Sequence, residues 1–302
     1  MQNKINIPPK GLAIIAIVGP SIVWAAEYIG SGEVILATRT GAILGTSIIW
    51  AVVLGMFLKY WIGMSGARYT VCTGEGMMDM FDRMPGPKHW SVWIVLVGQF
   101  AAGAISIGSV ASAGGIFLSS LIPGLPSFLS GWLITLFCIA VVWSGKFQWL
   151  KIVMSIFVLM TVIGVFYVAF QVVPGASEFF EGLIPGKAGV PQWALDKGAH
   201  ENPWREILPL IGWGAGGFAS QVWYTYWVLG AGYGATKNRN YGESADTNYL
   251  KNMPKLDAKR IKGWCRVVYT DATFALLIGV LVTVGFLVAG AGVLRPQELR
   301  SE

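Results

Sequence analysis

Residues 11–45 read GLAIIAIVGPSIVWAAEYIGSGEVILATRTGAILG, an apolar run that the polar tetrapeptide Gly30-Ser31-Gly32-Glu33 interrupts. A membrane-spanning helix needs about 20 mostly apolar residues, and this run is long enough for one. Glycine is unfavourable inside helices, and backbone groups that are left unsatisfied in lipid are costly. Such breaks persist only where they line a cavity or hold a ligand. The stretch therefore predicts a spanning helix that is broken at residues 30–33.

The composition of the whole chain indicates a membrane protein. Of its 302 residues, 54% are apolar and 13% are charged, and its mean hydropathy is +0.59. Soluble domains are about 25% charged, and a soluble protein of this composition would expose large apolar patches. The values exclude a soluble domain, a disordered chain and a nucleic-acid-binding protein. The apolar runs are continuous rather than alternating, so we predict an all-α integral membrane protein.

Seven apolar runs divide the chain. They cover residues 11–45, 47–66, 90–118, 128–143, 150–173, 206–235 and 263–293. We expect residues 1–173 to form a first five-helix repeat and residues 174–205 an extracytoplasmic loop. Residues 206–302 then supply the first two helices of an incomplete second repeat.

The sixth run repeats the anomaly of the first, because residues 212–217 read GWGAGG. Broken helices at corresponding positions of two halves point to an inverted-repeat transporter with its site near the membrane midplane. An odd number of helices in each repeat inverts the second copy, so the spacing agrees with the topology. Two complete five-helix repeats need more spans than the seven runs supply. We therefore expect a C-terminally truncated chain, and two alternatives stay open for the missing helices: they lie on a further segment, or they were lost.

The distribution of basic residues predicts the orientation. With the N-terminus inside, fifteen Lys and Arg residues fall in cytoplasmic connections and six on the opposite side. Cytoplasmic loops carry such an excess. We expect a multi-pass protein of the cell (inner) membrane, with a cytoplasmic N-terminus and with lipid around it.

Histidine and cysteine offer no catalytic or metal centre. The two histidines, His89 and His200, lie in polar connections, and the three cysteines show no paired spacing. This pattern predicts neither a disulfide framework nor a zinc site. Because the spans contain no catalytic constellation, we expect no enzymatic activity and no cofactor.

Glu33 decides where we place the candidate site. A carboxylate at membrane depth is costly and is a functional-site hypothesis by default. We place a metal or substrate site at residues 30–33 and a paired one at residues 217–221, facing each other near the membrane centre. Two alternatives stay open. In one, the glycines serve only close helix packing, and in the other, Glu33 only caps the second half-helix.

Three other charges lie inside the spans. For Glu27, one turn before the break, three roles stay open: it lines the inner vestibule, snorkels toward the interface or pairs with another helix. Asp271, in the seventh run, either pairs with a neighbouring helix or contributes to a cation pathway. Lys59 lies in the inner half of the second run, and we expect it to snorkel toward the cytoplasm.

Three motifs occur together in the order seen in one known family. Residues 19–33 are similar to a first helix in which a Gly-Pro-Gly start leads to Tyr-Ile-Asp-Pro-Gly-Asn. Residues 67–74 are similar to Ala-Arg-Leu-Gly-x-Val-Thr-Gly, and residues 271–276 to Ile-Asp-Thr-x-x-Ala-Leu. The chain thus resembles, over nearly its whole length, the Nramp family of divalent-metal transporters. The resemblance implies a LeuT-type fold and metal transport.

The departures from this family concern the ligands. The family's metal-binding Asp and Asn fall on Gly30 and Glu33, and its Met-Pro-His on Ala219-Ser220-Gln221. The thioether ligand is therefore absent. The family's proton-coupling residues, acidic on the third helix and histidine on the sixth, are absent as well. The resemblance implies a divergent branch that transports a metal, but it does not imply the family's transition-metal specificity.

The donors that remain are rich in oxygen. They comprise a carboxylate, hydroxyls, an amide and freed carbonyls. The candidate binding residues are Gly30, Ser31, Glu33, Gly217, Ala219, Ser220 and Gln221. Mg²⁺ and Mn²⁺ accept such hard ligands, and Mg²⁺ keeps several waters, so we predict a partly hydrated divalent cation as substrate.

Two other functions stay open. One is a sodium-coupled carrier of a small organic solute on the same fold, although Glu33 would repel an anionic solute. The other is a transport-inactive fragment.

Overall fold

The computed structural model describes residues 5–30, 32–143, 147–186, 188–214 and 216–299. These residues form helices and connections without a strand, which confirms the predicted all-α class for this part of the chain. The α-helices are α1 (Ala13–Ile17), α2 (Pro20–Tyr28), α3 (Thr38–Leu44), α4 (Ile49–Thr73), α5 (Met77–Phe81), α6 (Trp90–Leu121), α7 (Ser127–Val142), α8 (Phe147–Gln171), α9 (Ala176–Glu181), α10 (Gln192–Asp196), α11 (Trp204–Trp213), α12 (Phe218–Gly230), α13 (Thr247–Lys251) and α14 (Lys255–Ala289). Two π-helical segments, Gly32–Ala37 and Gly290–Leu294, precede α3 and follow α14. Short 3₁₀ segments are Gly45–Ile48, Gly234–Thr236 and Arg295–Gln297.

Four helical segments among the described residues are long and apolar enough to cross a membrane. They are Gly32–Thr73, Trp90–Leu121, Ile152–Gln171 and Lys255–Gln297. Helix α7 is also apolar but has only 16 residues. Helix α14 begins eight residues before the predicted run at residue 263, because its first turns are polar but still bury Asp257 and Ile261.

The centre of the molecule is the pair α4 and α14, against which α2, α3, α11 and α12 pack. Small residues let these helices approach closely. A Cβ added at Gly41 would lie 2.1 Å from the carbonyl oxygen of Leu287, and one at Gly290 would lie 2.0 Å from that of Thr38. The backbones of α3 and of the segment after α14 are therefore in direct contact. Close packing through glycine is typical of membrane helices.

Helices α6 and α7 pack mainly on each other at the periphery. Gly115 lies against the first turn of α7, where an added Cβ would stand 2.4 Å from the Ser127 carbonyl oxygen. The outer faces of both helices expose large apolar side chains such as Phe100 and Trp132. Such faces suit contact with lipid rather than with water.

The polar stretch 174–205 packs against one end of this core. Thr46 donates a hydrogen bond to Glu178 of α9 at 3.0 Å, and the Trp50 amide donates to the Gly182 carbonyl at 2.8 Å. Arg39 and Glu206 form a two-pronged ion pair with both contacts at 3.1 Å. The ion pair holds α3 beside the first turn of α11.

A buried carboxylate organises the opposite end. Glu75 is fully buried, forms an ion pair with Arg83 at 2.5 Å and accepts hydrogen bonds from the Tyr69 hydroxyl and, at 2.6 Å, from the Ala245 amide. The neighbouring Met77 amide donates to Thr225 of α12 at 3.2 Å. The turn after α4 thereby holds α12 in place.

Candidate cation site

The candidate site contains two helix ends, and Glu33 lies at the first of them. Helix α2 ends at Tyr28, and the next helical segment begins at Gly32. The Glu33 side chain is fully buried, and its Oε2 accepts a hydrogen bond from the Gly30 amide at 3.1 Å. A carboxylate in the first turn of a helix satisfies donors that have no partner within the helix. Glu33 therefore caps this helix end. Capping is one of the two roles, metal ligand or helix cap, that the sequence leaves open for it. Ser31 lies outside the described residues.

The second helix end belongs to the sixth run. Helix α11 ends at Trp213, and α12 begins at Phe218 after an extended Gly217. Ser220 and Gln221 are buried, Ala219 is half-buried and Gly217 is exposed. The Gln221 side chain points toward α4, since its Oε1 lies 2.6 Å from the position of a Cβ added at Gly63.

The two helix ends are in contact with each other. A Cβ added at Gly32 would stand 1.3 Å from Cδ1 of Trp213, so only glycine allows the indole to lie against this backbone. One turn before the break, the Ser220 side chain lies close enough to Glu27 to stabilise its carboxylate. The rings of Trp24 and Tyr224 stack with centroids 4.2 Å apart and planes inclined by 14°. Packing of α2 on α12 thus aligns the two interrupted stretches.

Open space adjoins both helix ends. A Cβ added at Gly217 would meet no heavy atom within 4 Å, and one at Gly30 would meet only the Glu27 carbonyl oxygen, at 3.9 Å. The Glu27 Oε2 atom is buried and has no hydrogen-bond partner among the described residues. A buried acceptor of this kind is unfavourable unless a donor or cation satisfies it.

Asp271 joins three helices. Its Oδ1 accepts hydrogen bonds from the Gly19 amide at 3.2 Å and from Ser21 at 2.9 Å, while its Oδ2 accepts one from the Tyr224 hydroxyl at 2.9 Å. The side chain is fully buried. Of the two roles left open for Asp271, these contacts support pairing with neighbouring helices.

The side chain of Lys59 does not lie where the sequence predicted. Instead of snorkelling to the cytoplasm, its Nζ donates to the carbonyl oxygens of Gly212, Gly214 and Gly216 at 2.5, 2.6 and 2.7 Å. The Glu33 carboxylate also attracts its charge. Sequence reasoning missed this role because the register of α4 against α11 is a tertiary property. The available signal was that a lysine within a span is functional by default.

Histidine, cysteine and acidic side chains form no further metal site in the described part of the chain. Among the described residues, no group of three or more His, Cys, Asp or Glu side chains is placed to hold a metal ion. Cys72 and Cys265 are free thiols whose sulfurs lie 3.7 Å apart, well beyond the ~2.05 Å of a disulfide. Their proximity was not predictable, because they are far apart in the sequence.

Sequence comparison supports the motif resemblance. The profile of the family described as "Nramp: Natural resistance-associated macrophage protein-like" matches residues 21–195, which is more than half of the chain. The chain belongs to the Nramp family. This Nramp protein, with its long apolar helices, is a multi-pass membrane protein.

Curated relatives agree with this membership. A "Divalent metal cation transporter MntH" of Yersinia enterocolitica is 28% identical over 96 residues, which are 31% of this chain and 24% of the relative. Its namesake from Pectobacterium carotovorum is 27% identical over 81 residues, 26% of this chain and 20% of the relative.

The fold is that of a solved transporter structure. A histidine-to-alanine mutant of an Eremococcus coleocola manganese transporter superposes with a TM-score of 0.70 at 15% identity, covering 94% of this Nramp chain and 53% of that chain. A glutamate-to-alanine mutant of the same transporter gives a TM-score of 0.70 at 16% identity, with the same coverage. The alignments thus span about a quarter of the curated relatives and about half of the solved transporter.

Proposed function

We propose that this Nramp protein provides the cation site of a secondary transporter that moves a divalent metal cation by alternating access. The observation that carries the proposal is a buried carboxylate, Glu33, at a helix end that lies against the last turn of α11. Half-helix ends at a repeat interface are the ion sites of such transporters. The names of the relatives, divalent metal cation transporter and manganese transporter, support the same substrate class.

The binding residues in this proposal are Gly30, Ser31, Glu33, Gly217, Ala219, Ser220 and Gln221. Glu33 contributes the negative charge, and Glu27 adds a second carboxylate whose Oε2 faces no described donor. Carboxylate, carbonyl, hydroxyl and amide oxygens suit Mg²⁺ and Mn²⁺, whereas thiophilic metals prefer sulfur. We infer that Mg²⁺ or Mn²⁺ is the substrate. No cofactor and no enzymatic step belong to this function.

The proposed mechanism, alternating access, depends on how the helices are arranged in the membrane. We propose that α2 with α3, and α11 with α12, are two discontinuous spans of a seven-span chain with a cytoplasmic N-terminus in the inner membrane. Residues 1–173 then form the first repeat, residues 174–205 an external loop, and residues 206–302 the start of the second repeat. Rocking of one repeat against the other around a fixed site is the usual mechanism of such folds.

The identity of the transported ions tests the proposed function. We expect proteoliposomes that contain a full-length version, with a complete second repeat, to take up Mg²⁺ or Mn²⁺ with little accompanying proton flux, because α6 carries no acidic residue and α12 no histidine. Uptake would be followed with a metal-sensitive dye, and internal pH with a second dye. Empty liposomes provide the control. Strong proton cotransport, or preference for Cd²⁺ over Mg²⁺, would contradict the argument from the donor set.

A further inference from the structure

The ammonium group of Lys59 is surrounded by carbonyl oxygens. Its three contacts, to Gly212, Gly214 and Gly216, are 2.5, 2.6 and 2.7 Å long. An ammonium group has three donors, and each one is used. Gly214 and Gly216 are buried, and Lys59 itself is half-buried. The protein thus supplies its own cation to a cluster of backbone oxygens.

These carbonyls lie where a membrane protein can bind a cation. Gly212 lies in the last turn of α11 and Gly214 follows the helix directly, so their carbonyls lie at the negative end of the helix dipole, and Gly216 lies shortly before α12. Unwound carbonyls and half-helix C-terminal ends coordinate cations in transporters with broken helices. Lys59 reaches them from a different helix, α4.

The carbonyl cluster at the end of α11 is also electrostatically coupled to Glu33. The Glu33 carboxylate attracts the Lys59 ammonium, and the backbone before Glu33 touches Trp213, the last residue of α11. With Lys59 in place, its positive charge offsets the negative charge of Glu33. A divalent cation beside Glu33 would meet a like charge, and at short range in a poorly screened site that repulsion is large.

We propose that Lys59 is a tethered cation that competes with the divalent substrate for the carbonyl oxygens at the end of α11. Binding of the metal beside Glu33 displaces the ammonium from Gly212, Gly214 and Gly216. This inference rests on the proposed function, since it needs a divalent cation at Glu33. A lysine that serves only as a helix cap would instead stay in place when metal binds.

Two measurements on the purified chain in lipid nanodiscs test the inference. In a Mn²⁺ titration, Lys59→Met keeps the length of the side chain and removes its charge, and we expect affinity to rise about tenfold or more. Lys88→Met, at an exposed lysine outside the site, is the matched control and should leave affinity unchanged. Unchanged or weaker Mn²⁺ binding by Lys59→Met would overturn the inference.

The second measurement needs no variant. An amine-reactive acylating reagent modifies lysines, and mass spectrometry reports the modified fraction of Lys59 with and without Mn²⁺. Displacement predicts that saturating Mn²⁺ raises this fraction severalfold, while that of Lys88 stays constant. If the parent binds Mn²⁺ but labelling of Lys59 does not rise, the tethered-cation inference fails and the proposed function stands. If neither the parent nor Lys59→Met binds Mn²⁺ or Mg²⁺, both fail.

Discussion

Replacement of Glu33 by glutamine is expected to lower the affinity for Mn²⁺ and Mg²⁺ by well over tenfold while leaving the protein folded. A charged side chain at this depth costs at least ~2.5 kcal/mol, whereas a capping interaction with a helix dipole returns only ~0.3–1 kcal/mol. The attraction of Lys59 offsets part of this cost, and we expect a bound divalent cation to offset more of it. Glutamine keeps the size of the side chain and an oxygen that can accept the Gly30 amide, so the cap survives and only the charge is lost.

Isothermal titration of the purified variant and the parent measures this effect. Glu75→Gln is the matched control, because Glu75 is equally buried but is paired with Arg83 beyond the end of α4. It should change thermal stability and leave metal affinity nearly unchanged. Metal affinity of Glu33→Gln equal to that of the parent would remove Glu33 from the site and leave it as a cap alone.

Asp271→Ala is expected to destabilise the fold by about 3 kcal/mol or more, because buried donors that lose their acceptor cost ~1–3 kcal/mol each. The donors are the Gly19 amide and the hydroxyls of Ser21 and Tyr224, each within 3.2 Å of the carboxylate. Loss of these bonds disconnects α14 from the start of α2 and from α12. Thermal unfolding in detergent, followed by Trp fluorescence, would give the change in stability.

Asp271→Asn separates the two roles that the sequence left open. Asparagine retains an acceptor for Gly19 and Ser21, and the Tyr224 hydroxyl can accept from its amide, so the loss of stability should be much smaller than with alanine. If Asp271 only pairs helices, Asp271→Asn binds metal as the parent does. A strong loss of metal affinity without loss of stability would instead assign Asp271 to the cation pathway.

The break that we predict in the first run rests on a local signal in the sequence. Glycines and an acidic residue within an apolar run can be recognised from the sequence alone. In the structure, Glu33 is buried just after the end of α2. The all-α class followed from the same continuity of apolar runs. The family followed from three motifs, each of which is confined to a short stretch of the chain and therefore visible in the sequence.

Other features depend on how distant helices meet, and local patterns carry no information about that. The contact of Lys59 with the end of α11 spans 153 residues of sequence, and the approach of Cys72 to Cys265 spans 193. The short helices α9 and α10 lie in residues 174–205, which we predicted only as a loop. Their positions are set by contacts with the core, such as that of Glu178 with Thr46.

The central claim is that a divalent cation binds beside Glu33, where the helix break of the first run meets the end of α11. Anomalous X-ray diffraction at the manganese absorption edge, from crystals grown with Mn²⁺, locates such an ion directly. We predict one strong anomalous peak within direct or water-bridged contact of the Glu33 carboxylate, and its loss in Glu33→Gln crystals. A peak at Asp271 or at the Cys72–Cys265 pair, with none at Glu33, would contradict this account.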